Sequence, residues 1–237
     1  MSKKSWYRTF ITGVICGFLG LFSTQAQETI IKEIDSLYKE DQFYVGVTYN
    51  LLGKKPNDVK QTGFSAGIHM GFIKDMPINK NRNVAIGIGL GYSANSYNQN
   101  LLVSKDDLGN FNYSVLQDTE TYSKNKFSAH FVEMPVQLRL RTSTPTGYKF
   151  WRIYTGFKVG YMFAHTTKYS GELGDLNYTD IDDFNRLHYG LTLSAGYNTW
   201  NFYMYYGLNP IFSNEAQIDG SQIDMNTIKV GLMFYIL

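Results

Sequence analysis

The chain has 237 residues, of which 43% are hydrophobic, 16% aromatic and 18% charged, with a formal net charge of +2. Without Lys3, Lys4 and Arg8, which belong to a leader-like stretch, 19 basic residues face 20 acidic ones; the basic surplus that a nucleic-acid-binding protein needs is gone. The lone cysteine, Cys16, lies in the same stretch, so the rest of the chain has neither thiol chemistry nor disulfides.

The leader reads in the order of a secretory signal. "MSKKSWYR" is basic, "TFITGVICGFLGLF" is apolar and "STQAQ" supplies small residues, with Ala26 the expected last residue before cleavage. Ile15 before Cys16 argues against a lipid anchor. The domain reading is therefore a signal peptide over 1–26, a periplasmic segment over 27–42 and a single domain over 43–237. Within that segment, "ETIIKEIDSLYKED" has helical spacing at Ile30, Ile31, Ile34 and Leu37. Beyond the leader no apolar run approaches the roughly 20 residues of a spanning helix, so any membrane crossing must use strands.

From there the chain alternates with a period of two, the mark of strands whose side chains point to opposite faces. The stretches are 43–51, 63–72, 83–93, 132–141, 150–163, 187–198, 200–209 and 228–237. In each, one parity is apolar and the other is polar, charged or glycine. In "NVAIGIGLGYS", for instance, Val84, Ile86, Ile88, Leu90 and Tyr92 oppose Ala85, Gly87, Gly89 and Gly91. Eight stretches of about the 9–11 residues that a tilted membrane strand needs predict an all-β fold. The expected architecture is an eight-stranded antiparallel transmembrane β-barrel, an up-and-down meander with lipid outside and small polar groups inside. Connection lengths agree: 52–62, 94–131, 164–186 and 210–225 are long, whereas 73–82, 142–149 and Thr199 are shorter. Bacterial outer-membrane barrels put long loops outside the cell and short turns in the periplasm, so both termini are expected to be periplasmic. Pro135 would interrupt a ladder, and a bulge is expected near Val132.

Candidate functional residues follow from parity. Glu133, Arg139, Arg141, Arg152 and Lys158 share the inner parity of neighbouring strands. They read as ion pairs filling a narrow barrel more readily than as an ion path, since eight strands leave no aqueous channel. Trp151 and Trp200 fall where a periplasmic aromatic girdle belongs. The ending "IKVGLMFYIL" resembles the C-terminal assembly signal of outer-membrane barrels in Lys229, Gly231, Phe234 and Ile236, with Leu237 as one extra residue. His130 and His165, with Ser128 and Glu172, are the minimum set for nucleophilic chemistry on lipid. The acidic stretch "KYSGELGDLNYTDIDDFNR" offers Glu172, Asp175, Asp180, Asp182 and Asp183 to calcium, but its spacing departs from the EF-hand pattern. His69 and His188 read as hydrogen-bonding groups of the interior.

"FVEMPVQLRLRTSTPTGYKFWRIYTGFKVGYMF" and "LHYGLTLSAGYNTWNFYMYYGLNPIF" resemble the PorT-like outer-membrane β-barrel family of Bacteroidota, best over 126–237. The "EMP" strand opening, "GFKVGY" and "YYGLNPIF" carry the resemblance, which implies an outer-membrane barrel and, through PorT, an association with type IX secretion and gliding. The functional expectation is a non-enzymatic structural or accessory subunit without cofactor. Its partners would be outer-membrane lipid and lipopolysaccharide, the barrel-assembly machinery during biogenesis, and a protein bound through 94–131 and 164–186. The alternatives are a small-solute or lipid-handling barrel and an outer-leaflet lipid enzyme using His130 or His165.

Overall fold

The computed structural model describes residues 39–117, 119–142 and 150–236. The expected leader, the helical spacing at Ile30–Leu37, most of the 142–149 turn and Leu237 lie outside the described residues. Thirteen strands follow in order: β1 (Gln42–Gly53), β2 (Ala66–Pro77), β3 (Val84–Asn98), β4 (Leu101–Lys105), β5 (Phe111–Val115), β6 (Tyr122–Arg141), β7 (Trp151–Gly171), β8 (Gly174–Thr179), β9 (Leu187–Tyr197), β10 (Trp200–Gly207), β11 (Gln217–Ile218), β12 (Ser221–Gln222) and β13 (Asn226–Ile236).

Eight of these, β1, β2, β3, β6, β7, β9, β10 and β13, pair antiparallel with their neighbours and close into a barrel. The first strand meets the last, with Phe43 opposite Ile236 and Gly53 opposite Asn226. Closure satisfies every strand edge within the wall, which is what allows a sheet to sit in hydrocarbon. The alternation in the sequence maps onto the wall: Phe43, Leu90, Trp151, Ile153, Leu191 and Phe202 are each at least half exposed on the outside, while their strand neighbours point inward and are mostly buried. So much outward apolar surface would be an aggregation hazard in water and suits lipid.

Strand bounds differ from the sequence reading in three places. The second strand spans 66–77, not 63–72, because Ile73 and Asp75 continue the inner parity past the apolar run. The expected loops 94–131 and 164–186 are substantially strand, since β3, β6 and β7 run on beyond the apolar zone. At about 3.3 Å per residue and a tilt near 40°, the 20 residues of β6 and 21 of β7 rise about 50 Å. That is twice the roughly 25 Å apolar band of such barrels. Above the row Tyr92, His130 and Phe163 the outer face turns polar, with Ser96, Lys126, Ser128 and Lys168. The third difference is the β9–β10 connection, which takes two residues, Asn198 and Thr199. Asn198 adopts φ 56°, a left-handed turn conformation that asparagine tolerates.

The bulge expected near Val132 is present at that height but sits on the partner strand, and a second register shift falls between Tyr122 and Lys124. The register shifts between His130 and Phe131, which pair with Ala164 and Met162, so the extra residue is Phe163 on β7. Pro135 keeps its pairing with Lys158 on β7. On the β3 side the ladder skips Gly89 and Leu90 without changing register, and the missing N–H is absorbed as a gap. The bulge inverts the parity of β7, turning His165 inward.

Beyond the barrel rim, β8 folds back on the upper part of β7 as the free edge of the sheet. The β4–β5 hairpin joins this superstructure: Phe111 meets Tyr178 edge-on at 5.6 Å, and the Tyr113 hydroxyl donates to Asp183 at 2.8 Å. Burial and this bond to a carboxylate push the Tyr113 phenol well above its ordinary value, so it remains a donor.

Candidate functional site

Three layers fill the barrel. At the end where β1 begins and β13 finishes, the termini end of the barrel wall, Asp75 is fully buried between Arg139 at 2.7 Å and Arg141 at 2.8 Å. Arg141 also lies 3.6 Å from Glu40, whose N–H donates to Asp75 at 3.3 Å. Gln42 accepts from Arg139, and Asp41 accepts the Asp75 N–H at 2.7 Å. The Arg139 guanidinium stacks over Tyr154 at 4.2 Å. Arg152, also buried, stacks on Phe150 at 4.4 Å rather than joining Asp75. The residues just before β1 are thus drawn into the mouth by charge.

In the middle layer Glu133 receives Lys158 at 2.8 Å and the Ser93 hydroxyl at 2.7 Å, with His69 at 3.6 Å. His69 shares a hydrogen bond of 3.1 Å with Thr48. Lys229 is buried over the rings of Tyr205 and Phe131 at 5.2 and 5.4 Å. Tyr44, Tyr203 and Tyr235 pack around this centre with Ile73, Tyr154 and Met233. The cavities left beside these groups measure about 10 and 20 Å³, room for about one water each.

The third layer is an apolar cap at the far end. Tyr97, Leu101, Phe127, Phe131, Met162 and Ile181 pack with Phe184 and Phe212, whose rings lie 4.5 Å apart. His165 stacks on Phe184 at 4.6 Å and accepts the Ile181 N–H at 2.8 Å. His188 bonds the Asn185 carbonyl at 2.7 Å and meets Phe131 edge-on.

The residues singled out from sequence therefore separate into distinct places. Glu133 and Lys158 form one pair; Arg139 and Arg141 form a second group with Asp75, Glu40 and Gln42, which parity arguments had missed. Asp75 sits on the inner parity of β2, but in the string "KDMPIN" it reads as a turn. Its partners lie 64 and 66 residues away. Trp151 and Trp200 are 64% and 63% exposed and align with Tyr197 and Phe234 across adjacent strands. Trp151 packs on Tyr197 at 5.3 Å and Trp200 on Phe234 at 4.8 Å, giving a continuous aromatic row at the termini end. Within the C-terminal stretch Lys229 points inward, Phe234 and Ile236 point outward, and Gly231 lies so near the Val47 carbonyl that no side chain fits.

His130 and His165 stand on opposite faces of the wall: His130 bonds Tyr92 at 2.7 Å on the outside, whereas His165 is enclosed by the cap. Glu172 is exposed in the β7–β8 turn, so no Ser–His–acid set assembles from these residues. Asp183 is engaged by Tyr113 and Asp175 by Ser170. Among the described residues no group of three His, Cys, Asp or Glu is close enough to hold a metal ion.

Comparison with known proteins gives one family match and a likeness to a solved structure. A comparison with curated proteins gives no match. Among solved structures, the crystal structure of Ail, the attachment invasion locus protein of Yersinia pestis, aligns with 84% of this chain and all of its own at 10% identity, with a TM-score of 0.35. The outer membrane protein beta-barrel domain family matches residues 25–213, most of the chain. The chain belongs to that family and is an outer-membrane β-barrel.

Proposed function

We propose that this barrel is a non-enzymatic structural or accessory component of the outer membrane, with both termini in the periplasm. Its raised strands and hairpins would stand outside the cell and bind a protein partner. One observation carries this reading: among the described residues, charged, aromatic and apolar side chains pack the interior in three layers, whereas β6, β7 and β8 build a folded superstructure beyond the membrane. A filled lumen offers a solute no path, and surface architecture of this extent serves recognition. The PorT-like segments extend the proposal to the type IX secretion and gliding apparatus, and the C-terminal stretch to recognition by barrel-assembly machinery.

The test is purification of a tagged, natively expressed copy in mild detergent, with protein and lipid mass spectrometry and planar-bilayer recording. A stoichiometric protein partner with silent recordings is expected. A solitary barrel that conducts ions, or that carries a defined lipid, would refute the accessory role. Removing residues 97–125 is not a clean test, because it would take Tyr97, Leu101 and Val103 out of the cap.

A further inference from the structure

An open cleft of about 770 Å³ lies among the loop after β1, strand β5 and the β11–β12 hairpin, lined by Lys54, Lys55, Tyr113, Val115, Asp219 and Asp224 among others. Its volume falls in the range of ordinary ligand sites. One wall is the edge of a strand. β5 pairs with β4 alone, the two-residue strand β11 standing beside it without a ladder bond and giving way to an added strand, and the direction of its ladder is fixed by two flanking bonds. The Leu116 N–H donates to Asn100 and the Asp106 N–H to the Asn110 carbonyl. Hydrogen-bonded pairs therefore fall on the even positions of β5, Asn112 and Ser114, facing β4. The N–H and C=O groups of Phe111, Tyr113 and Val115 point to the opposite edge. Among the described residues the only bond to them is from the exposed Gln117 amide to the Val115 carbonyl, at 3.3 Å. A row of unpaired backbone groups is a template for another strand.

We propose that this cleft binds an extended peptide segment of another protein, which adds to the outer edge of β5 as a third strand of the β4–β5 hairpin. The inference rests on the accessory reading and names the chemistry of its partner. Backbone bonding supplies the affinity, and the flanks supply selection. The walls carry both signs of charge: Lys54 meets Asp224 at 3.7 Å with both side chains more than half exposed. An exposed pair of this kind contributes little and exchanges readily for charges on a ligand. The matching segment is about five residues long, the length of β5. It places an acidic side chain toward Lys54 and Lys55 and a basic one toward Asp219.

The experiment uses the full chain in nanodiscs, selected against a random-peptide display library with empty nanodiscs as the control. Enriched peptides are then measured by fluorescence anisotropy. Backbone N-methylation at alternate peptide residues should weaken binding at least tenfold in one parity and leave the other unchanged. Val115→Pro, which removes an outward N–H while sparing the bonds to β4, should weaken it similarly. Equal loss in both parities, undiminished binding to V115P, or no enrichment over empty nanodiscs would overturn the proposal. Binding of lipopolysaccharide core oligosaccharide with no peptide enrichment would overturn it too. Should V115P still co-purify with the native partner, the peptide site falls and the accessory role stands. Peptide binding with no native partner supports the site and counts against the accessory role alone.

Discussion

Replacing Asp75 with alanine tests whether charge holds the termini end of the barrel shut. Asp75 is fully buried, bridges Arg139 and Arg141 at 2.7 and 2.8 Å, and accepts the Glu40 N–H. Its removal leaves two enclosed guanidiniums without the carboxylate that bridges them, Glu40 lying 3.6 Å from Arg141. Breaking a buried pair by deleting one partner costs about 3–5 kcal/mol, most of it the penalty of the uncompensated charge. The assay is urea unfolding in detergent or lipid, followed by gel mobility of the folded barrel and by tryptophan fluorescence. Asp75→Ala should lose about 3–5 kcal/mol. Asp75→Asn with Arg141→Gln should lose less than the two single changes together, since each single change strands a charge that the double change does not. A loss below about 1 kcal/mol for Asp75→Ala would refute the reasoning, because that is the worth of a solvent-exposed pair. Additivity in the double variant would refute it equally.

Three further outcomes are expected. Gly231→Ala should destabilise the barrel by about 1–3 kcal/mol and slow its insertion, because a methyl there meets the Val47 carbonyl across the β1–β13 seam; unchanged unfolding midpoints would refute it. Phe234→Leu removes the edge-on contact with Trp200 and should cost about 0.5–1.5 kcal/mol beyond the small change in area, read by the same unfolding assay. In the β4–β5 turn, hydrogen bonds from the Asn110 backbone and side chain, and then from the Leu108 N–H, hold the Asp106 carboxyl below its ordinary 3.8. A depressed carboxyl stabilises the fold above its unfolded value and stops doing so as pH falls through the folded one. The protection factors of the Leu108 and Asn110 amides, each rate taken against the unstructured amide at the same pH, should therefore fall as pH drops below about 4, and Asp106→Asn should flatten that dependence.

The wall of the barrel was legible because lipid imposes a strict rule on it. Each crossing strand must show an apolar face outward and a small or polar face inward, so a period of two persists even where hydropathy averages out. The rule ends where the membrane ends. Along β6 from Tyr122 to His130 the outer face carries Lys124, Lys126 and Ser128, and nothing distinguishes it from a polar loop. The strand continues there because its inner face, Phe127, Ala129 and Phe131, still meets the cap. Parity failed at His165 for a local reason: one extra residue, Phe163, reversed the facing of everything above it. Pro135, the only visible cause of irregularity, suggested a bulge on the wrong strand.

The interior charges were legible as a set but not as pairs. Parity places Glu133, Arg139, Arg141, Arg152 and Lys158 inside, and partner choice depends on height along the barrel axis, which tilt and stagger determine. Strand stagger brings Asp75 level with Arg139 and Arg141, while Glu133 lies one layer higher with Lys158. Arg152, across from Arg141 in the β6–β7 register, takes aromatic faces instead. The arrangement separates the charges into two layers with tyrosines between them, so neither group shares its carboxylate with the other. A barrel built to pass ions would string its charges along one continuous path. Here each carboxylate is enclosed by its own cations, and the aromatic layer between them leaves space for single waters.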